Sequence, residues 1–380
     1  MTKTLNRRDF SKKMALGTAG IGLVAPLGMG CKTPQQKEGS LGVALVGLGG
    51  YSTYQLAPAL QSTAHCHLAA IVTGTPAKAR KWASKYQLAK EHIYNYSNFD
   101  RIADDPAVDI VYIVLPNSMH AEFSIRAAQA GKHVICEKPM GLTSQECVDI
   151  INACKQAKVK LGMGYRLHSE PYTKEVKRLV RDKVFGSPQY ISSTAAYISR
   201  GNPNQWRLNK ALSGGGALMN MGVYAFQALI YATGSNPKSV SAQEFSTRPA
   251  YFKQTDETIT AQFEWANGAL GQMMTSHNYR SNHLRAEYDN GWIELSPAST
   301  YIPLAGKTSD GPLEFAQESQ QKLQMDDFAL YIKGKQNNRA PGEMGHRDLL
   351  IIEAIYESIA QGGKRIDLPM ASDYGISLLF

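Results

Sequence analysis

Short, almost wholly apolar runs at residues 41–46, 67–72, 109–115, 133–136 and 160–163 alternate with amphipathic stretches at 52–62, 76–87, 119–130 and 144–157. Apolar runs this short suit strands buried on both faces, and the amphipathic stretches suit helices laid over them. The alternation predicts an α/β domain on a parallel sheet over residues 41–163. Thr143-Ser144-Gln145-Glu146 fits a capping box opening the last of these helices. Beyond residue 164 the pattern changes. Strand-like segments at 189–199, 239–245, 258–265, 269–276, 284–288 and 292–295 follow one another, with Asn267-Gly268 and Asn290-Gly291 as turn signals. Apolar positions at Leu349, Ile352, Ile355, Tyr356 and Ile359 predict a late helix. Residues 164–380 therefore read as a second domain.

The first 40 residues do not share this pattern. Arg7-Arg8 precede a weakly apolar, glycine-rich run at 14–30, which resembles a twin-arginine (Tat) export signal. Residues 1–31 are read as that signal, and 32–40, polar and containing Pro34, as a linker. Gly30-Cys31 has the junction of a lipid-attachment site, while Gly28 and Met29 fit that motif poorly. A periplasmic protein is expected, either free or lipid-anchored at Cys31. The segment also changes how the charge reads. Of the formal +9, +5 lies in residues 1–38. The rest holds no long Lys/Arg run, so nucleic-acid binding is not expected. No stretch after residue 31 has the ~18 uncharged apolar residues that a membrane span needs. The five cysteines include no CxxC pair and no zinc spacing, so no metal is expected. Cys147 and Cys154 share a helical face with Ile150 and Ile151, which predicts burial.

The first apolar run ends Gly47-Leu48-Gly49-Gly50-Tyr51-Ser52, one step from the dinucleotide fingerprint G-x-G-x-x-G. Gly47 permits the tight turn, Gly49 lets backbone approach a pyrophosphate, and the helix that follows offers free N–H groups. Gly50 and Tyr51 complete the loop. Sites for NAD place an acid at the end of the second strand, for the ribose 2′-hydroxyl. Here that end reads Thr73-Gly74-Thr75-Pro76-Ala77-Lys78-Ala79-Arg80. Two hydroxyls and two cations without an acid suit a 2′-phosphate, so NADP is the expected cofactor, with Thr73, Gly74 and Lys78 around it.

Four further motifs carry a family resemblance: Leu115-Pro116-Asn117-Ser118-Met119-His120-Ala121-Glu122, Cys136-Glu137-Lys138-Pro139-Met140, Gly164-Tyr165-Arg166-Leu167-His168 and Gln205-Trp206-Arg207. Together they resemble the Gfo/Idh/MocA oxidoreductases, and within them the periplasmic glucose–fructose and aldose–aldose oxidoreductases. Segments 94–100 and 339–343 strengthen the match. The resemblance runs from about residue 41 to residue 367. It implies a Rossmann domain followed by an α+β domain with an open-faced, mainly antiparallel sheet. It further implies a homo-oligomer, dimer or tetramer, assembled through that sheet, and a late helix packed back near the first domain. It assigns cofactor contacts to Leu115, Pro116, Asn117, His120, Glu137, Lys138, Arg166, Trp206 and Arg207.

Hydride transfer at a sugar carbon needs a group to take the hydroxyl proton and a cation to steady the alkoxide. Lys138, just past a strand end, is the candidate cation. Asn220 and Tyr224 lie four apart after the glycine loop 213–216, and Tyr224 is the candidate acid/base. The resembling enzymes carry aspartate where this chain has Asn220, so a carboxylate restored there is expected to raise turnover on aldoses. The leading expectation is oxidation of an aldose, at C1 to a lactone, and reduction of a second sugar on a retained NADP. Two alternatives stay open: a nucleotide-dependent glycosidase acting by oxidation and elimination, and a non-catalytic nucleotide and sugar binder.

Overall fold

The computed structural model describes residues 39–369. The expectations placed on residues 1–38, including the signal and Cys31, fall outside the described residues. Six strands, β1 (Leu41–Val46), β2 (Cys66–Val72), β3 (Ile93–Tyr94), β4 (Ile110–Ile113), β5 (His133–Cys136) and β6 (Leu161–Met163), form a parallel sheet ordered β3-β2-β1-β4-β5-β6. Along β1, Val43 and Leu45 enter one core while Ala44 and Val46 enter the other, which is why the run lacks polar positions. The strand order reverses between β1 and β4, and their carboxyl ends open a crevice there.

Helices His120–Gln129 and Ser144–Gln156 cover one face of this sheet. Thr143 caps the second, its side chain accepting from Glu146 N at 3.2 Å. The Glu146 carboxylate turns to Leu142 N, at 2.6 Å, so the box closes one residue early. Cys147 and Cys154 are buried with Ile150 and Ile151, as the periodicity predicts. Helix Pro76–Tyr86 lies on the opposite face together with helix Gln320–Ile332, which arrives from the far end of the chain. Met325, Phe328 and Ala329 of that helix enter the core. Its Asp326 carboxylate accepts from His65 N at 2.7 Å and Ala64 N at 2.9 Å.

The second sheet holds β7 (Pro188–Ala196), β8 (Ser239–Phe245), β9 (Thr258–Glu264), β10 (Leu270–Ser276), β11 (Ser281–Tyr288), β12 (Gly291–Leu295), β13 (Gly306–Thr308), β14 (Gly311–Leu313) and β15 (Ile366–Asp367). Their order is β14-β13-β12-β11-β7-β10-β9-β8-β15, antiparallel except for the central pair β7 and β10. Helix Val223–Thr233 packs on β7 and β10, and helix Gly342–Ala360 on β8. Helix Gly342–Ala360 also packs on Ser144–Gln156 of the first domain. The register neighbours Tyr190 and Leu270 stand exposed on the sheet, at 42% and 52%.

Candidate active site

The site begins where β1 stops. Gly47 has φ +94°, and a Cβ there would lie 2.4 Å from the Val114 carbonyl oxygen, so only glycine makes this turn. Gly49 has open space where a side chain would stand, which leaves its backbone free to approach a ligand. Ser52 is buried, and its hydroxyl donates to Gly47 O at 2.6 Å, binding the first helical turn to the loop. At the end of β2, Thr73, Thr75 and Lys78 line the crevice. Gly74 does not line it. A Cβ on Gly74 would meet the Tyr96 ring at 2.9 Å, so this glycine makes room for Tyr96, which does line it.

The crevice continues into a cleft of about 980 Å³ between the two sheets, at the upper end of the range for ligand pockets. Among the described lining residues the cations are Lys78, Lys138, Arg166, Arg207 and Arg280, against one carboxylate, Glu137. That carboxylate is turned inward and accepts from Tyr112 Oη at 2.7 Å. Lys138, Tyr224 and Asn220 all reach the cleft. Lys138 Nζ lies 4.6 Å from the centroid of the Tyr224 ring and donates to the Asn220 main-chain carbonyl. The Arg166 guanidinium lies 5.0 Å from the same ring. Burial pushes the Tyr224 phenol up, but Arg166 and Lys138 together outweigh it and hold the phenol below its ordinary value. Burial pulls the Lys138 ammonium down, with Arg207 and Arg166 adding to the effect.

Three residues assigned to the cofactor have other commitments. His120 is buried with Nδ1 2.8 Å from Pro139 O and Nε2 2.9 Å from Leu115 O, so its ring joins the two loops that carry Pro116 and Lys138. Asn117 Nδ2 donates to Ser213 O at 2.8 Å, tying the first domain to the glycine loop of the second. Arg166 donates to Ser299 O at 2.6 Å, to Thr300 O at 3.0 Å and to the Gln320 side chain. It thus anchors the loop that brings Tyr301 over the cleft, where Tyr301 stacks on Tyr51 at 6.1 Å. Leu115 and Pro116 line the cleft beside the glycine turn. Trp206 and Arg207 line it as well, with the guanidinium 4.3 Å from the indole ring.

Several residues around the site were not visible in the sequence, and two of them meet at Asn220, which was. Asn220 belongs to a π-helical turn, Leu218–Gly222, ahead of helix Val223–Thr233. Its side-chain Nδ2 lies 3.0 Å from Tyr197 Oη and 3.1 Å from His277 Nε2. The glycine loop is held from below by Asp256, whose carboxylate accepts from Gly216 N at 2.6 Å and Leu218 N at 2.8 Å. Tyr197, His277 and Asp256 sit in no motif; the β7–β10 register delivers the first two, and Asp256 lies in the loop just before β9.

A reversed parallel sheet with a glycine turn, a cationic cleft and a facing antiparallel sheet defines a two-domain dinucleotide-binding protein, and the residues present fit such a group. The chain belongs to the Gfo/Idh/MocA oxidoreductase family. Residues 41–165 match the family model described as an oxidoreductase family with an NAD-binding Rossmann fold, and residues 173–294 match the GFO/IDH/MocA C-terminal domain. The solved aldose–aldose oxidoreductase of Caulobacter crescentus, complexed with glycerol, is 38% identical. It superposes with a TM-score of 0.83 over 87% of this chain and 100% of that one. The NADP(+)-dependent D-xylose 1-dehydrogenase of Haloarcula marismortui is 26% identical over 83% of this chain and 90% of its own. The D-glucoside 3-dehydrogenase of Escherichia coli is 25% identical over 86% and 97%.

Proposed function

We propose that the protein is an exported NADP-dependent sugar oxidoreductase that oxidises an aldose, at C1 to a lactone, and reduces a second sugar on the same retained cofactor. The observation that carries this reading is the placement of Lys138 and Tyr224 together in the cleft, with Arg166 on the same ring. A nicotinamide nucleotide would be held by the Gly47–Tyr51 loop and by Thr73, Thr75 and Lys78, and would supply the hydride-accepting and hydride-donating chemistry. The chain's own groups supply the rest. Tyr224 takes the hydroxyl proton, which its lowered pKa favours. Lys138 steadies the developing negative charge on oxygen. Trp206 offers a stacking face to the sugar, and Arg207 and Arg280 offer donors to its hydroxyls. The 38% identical aldose–aldose oxidoreductase supports a sugar pair as substrates. The Arg7-Arg8 signal supports export of a folded protein with its cofactor inside, and the open sheet supports assembly into a dimer or tetramer.

NADP is favoured because Thr73, Thr75 and Lys78 line the crevice at the end of β2 without a carboxylate. Mass spectrometry of nucleotide released on denaturation tests this, and NADP is the expected species. Thr73→Asp combined with Lys78→Ala is expected to shift the nucleotide preference at least tenfold toward NAD, the loss of one charge-assisted bond to phosphate being worth about 1.5–3 kcal/mol. Native protein holding only NAD, or a double variant with unchanged preference, counts against the 2′-phosphate assignment.

A further inference from the structure

The proposed reaction has no task for His277, yet the structure places it behind the cleft, in contact with the lining residue Asn220. β7 and β10 run parallel with Ser276 opposite Ala196, so the residues just past the two strand ends, His277 and Tyr197, stand side by side, ring centroids 4.8 Å apart. Both contact the Asn220 side-chain nitrogen, at 3.1 and 3.0 Å. An amide nitrogen has two hydrogens and no acceptor capacity, so the two contacts use both hydrogens. Among the described residues, His277 Nδ1 is buried with no hydrogen-bond partner. Nε2 is thus the ring nitrogen that makes the hydrogen bond, and the Asn220 amide alone selects the tautomer with the proton on Nδ1. The imidazole is otherwise fixed by its surroundings. Its main-chain N–H donates to Glu257 O at 2.9 Å, Arg248 donates to its carbonyl at 2.8 Å, and Phe252 stacks on the ring at 6.2 Å.

We infer that His277 is a positioning residue: with Tyr197 it grips the Asn220 amide by its nitrogen and leaves Oδ1 as the acceptor offered to a sugar hydroxyl in the cleft. This rests on reading the cleft as a sugar site. It explains why asparagine suits this position. A carboxylate at 220 has no hydrogen to give Nε2, and two lone pairs would face each other unless the imidazole moved its proton to Nε2 or took up a second one. The charged groups that act on that imidazole are Asp256, which favours the cation, and Arg207, Lys138 and Arg248, which oppose it. Burial is the largest influence, and the imidazole is held neutral, its pKa lowered to about 4. Aspartate at 220 would accept from a proton on Nε2, orient toward His277 and favour its cation. The gain in turnover expected from sequence for Asn220→Asp is thereby replaced by a loss.

Nitrogen NMR of the histidine rings in the full chain tests this without turnover, the His277 signals being assigned by their absence in His277→Gln. The expected result is a neutral ring with Nε2 unprotonated from pH 5 to 8. In Asn220→Asp the titration midpoint should rise by about 1–3 units, the effect of a new adjacent opposite charge. A wild-type ring protonated at Nε2, or a midpoint unmoved by Asn220→Asp, would overturn the inference. A kinetic arm separates positioning from a merely structural role. His277→Leu should raise the sugar KM about tenfold, the cost of one misplaced hydrogen bond, with kcat changed less and nucleotide retention unchanged. His277→Gln, which keeps an acceptor for Asn220, should restore most of that KM. Equal losses in both variants, or an Asn220→Asp enzyme faster than wild type, would overturn it. If the native protein oxidises no sugar, the proposed function fails, while the NMR arm still decides the amide grip.

Discussion

Tyr224→Phe is expected to lower turnover by about 100- to 10,000-fold while leaving nucleotide bound, the usual loss when a proton-transferring group is removed. The ring would stay in place, packed between Lys138 and Arg166 at 4.6 and 5.0 Å, so the effect isolates the hydroxyl. Lys138→Ala should cost a comparable factor and leave a second signature. Tyr224 titrates low because Arg166 and Lys138 outweigh burial; with one cation gone, its pKa rises. A base works when deprotonated, so the rate of sugar oxidation climbs as pH rises through that pKa. In Lys138→Ala the climb should move to higher pH. Single-turnover oxidation measured across pH checks both statements. Near-normal turnover in Tyr224→Phe, or a Lys138→Ala profile that does not move, would remove these residues from their roles.

Asp256→Ala is expected to be the most damaging single change to stability near the site. The carboxylate is buried and accepts from Gly216 N, Leu218 N and Tyr356 Oη, at 2.6, 2.8 and 2.7 Å. Truncation leaves two buried backbone donors and the part-buried Tyr356 hydroxyl without this acceptor, each buried donor costing about 1–3 kcal/mol. A loss of about 3 kcal/mol corresponds to a fall in Tm of roughly 6–12 °C for a domain of this size. The loop so released starts the turn that carries Asn220 and leads to Tyr224, so kcat should fall as well. Asp256→Asn keeps one acceptor oxygen and should lose less on both counts. Calorimetry showing an unchanged Tm for Asp256→Ala would contradict the account of how the loop is held.

The first domain was legible because its strands are buried on both faces and need unbroken apolar runs, as Val43 to Val46 illustrate. Helix Gln320–Ile332 was not, because its buried positions include polar residues. Gln324 donates to Tyr112 Oη at 2.6 Å and Asp326 accepts two backbone N–H groups, so the sequence shows no apolar stripe where the structure has an inward face. Strands β3, β13, β14 and β15 are two or three residues long, too short for a period to register. Within the site, Gly47, Lys138 and Tyr224 were readable because each belongs to a local motif whose spacing reports its geometry. The packing of Tyr96 on the empty side of Gly74 was not readable, because that ring lies 22 residues on, across the β2–β3 pairing. Tyr197 and His277 were invisible for the same reason: they reach the site through pairing of β7 with β10, strands far apart in the chain, and Asp256 lies in the loop ahead of β9.

The most direct test of the central claim is to mix purified protein, its nucleotide content first established, with single aldoses and follow the absorbance of reduced nicotinamide. The account predicts that an aldose reduces the bound nucleotide stoichiometrically, that none passes an ultrafiltration membrane, and that a second sugar returns the absorbance to its starting level. A protein that retains nucleotide but shows no absorbance change with any aldose, or that releases the leaving group of a glycoside instead, would contradict it.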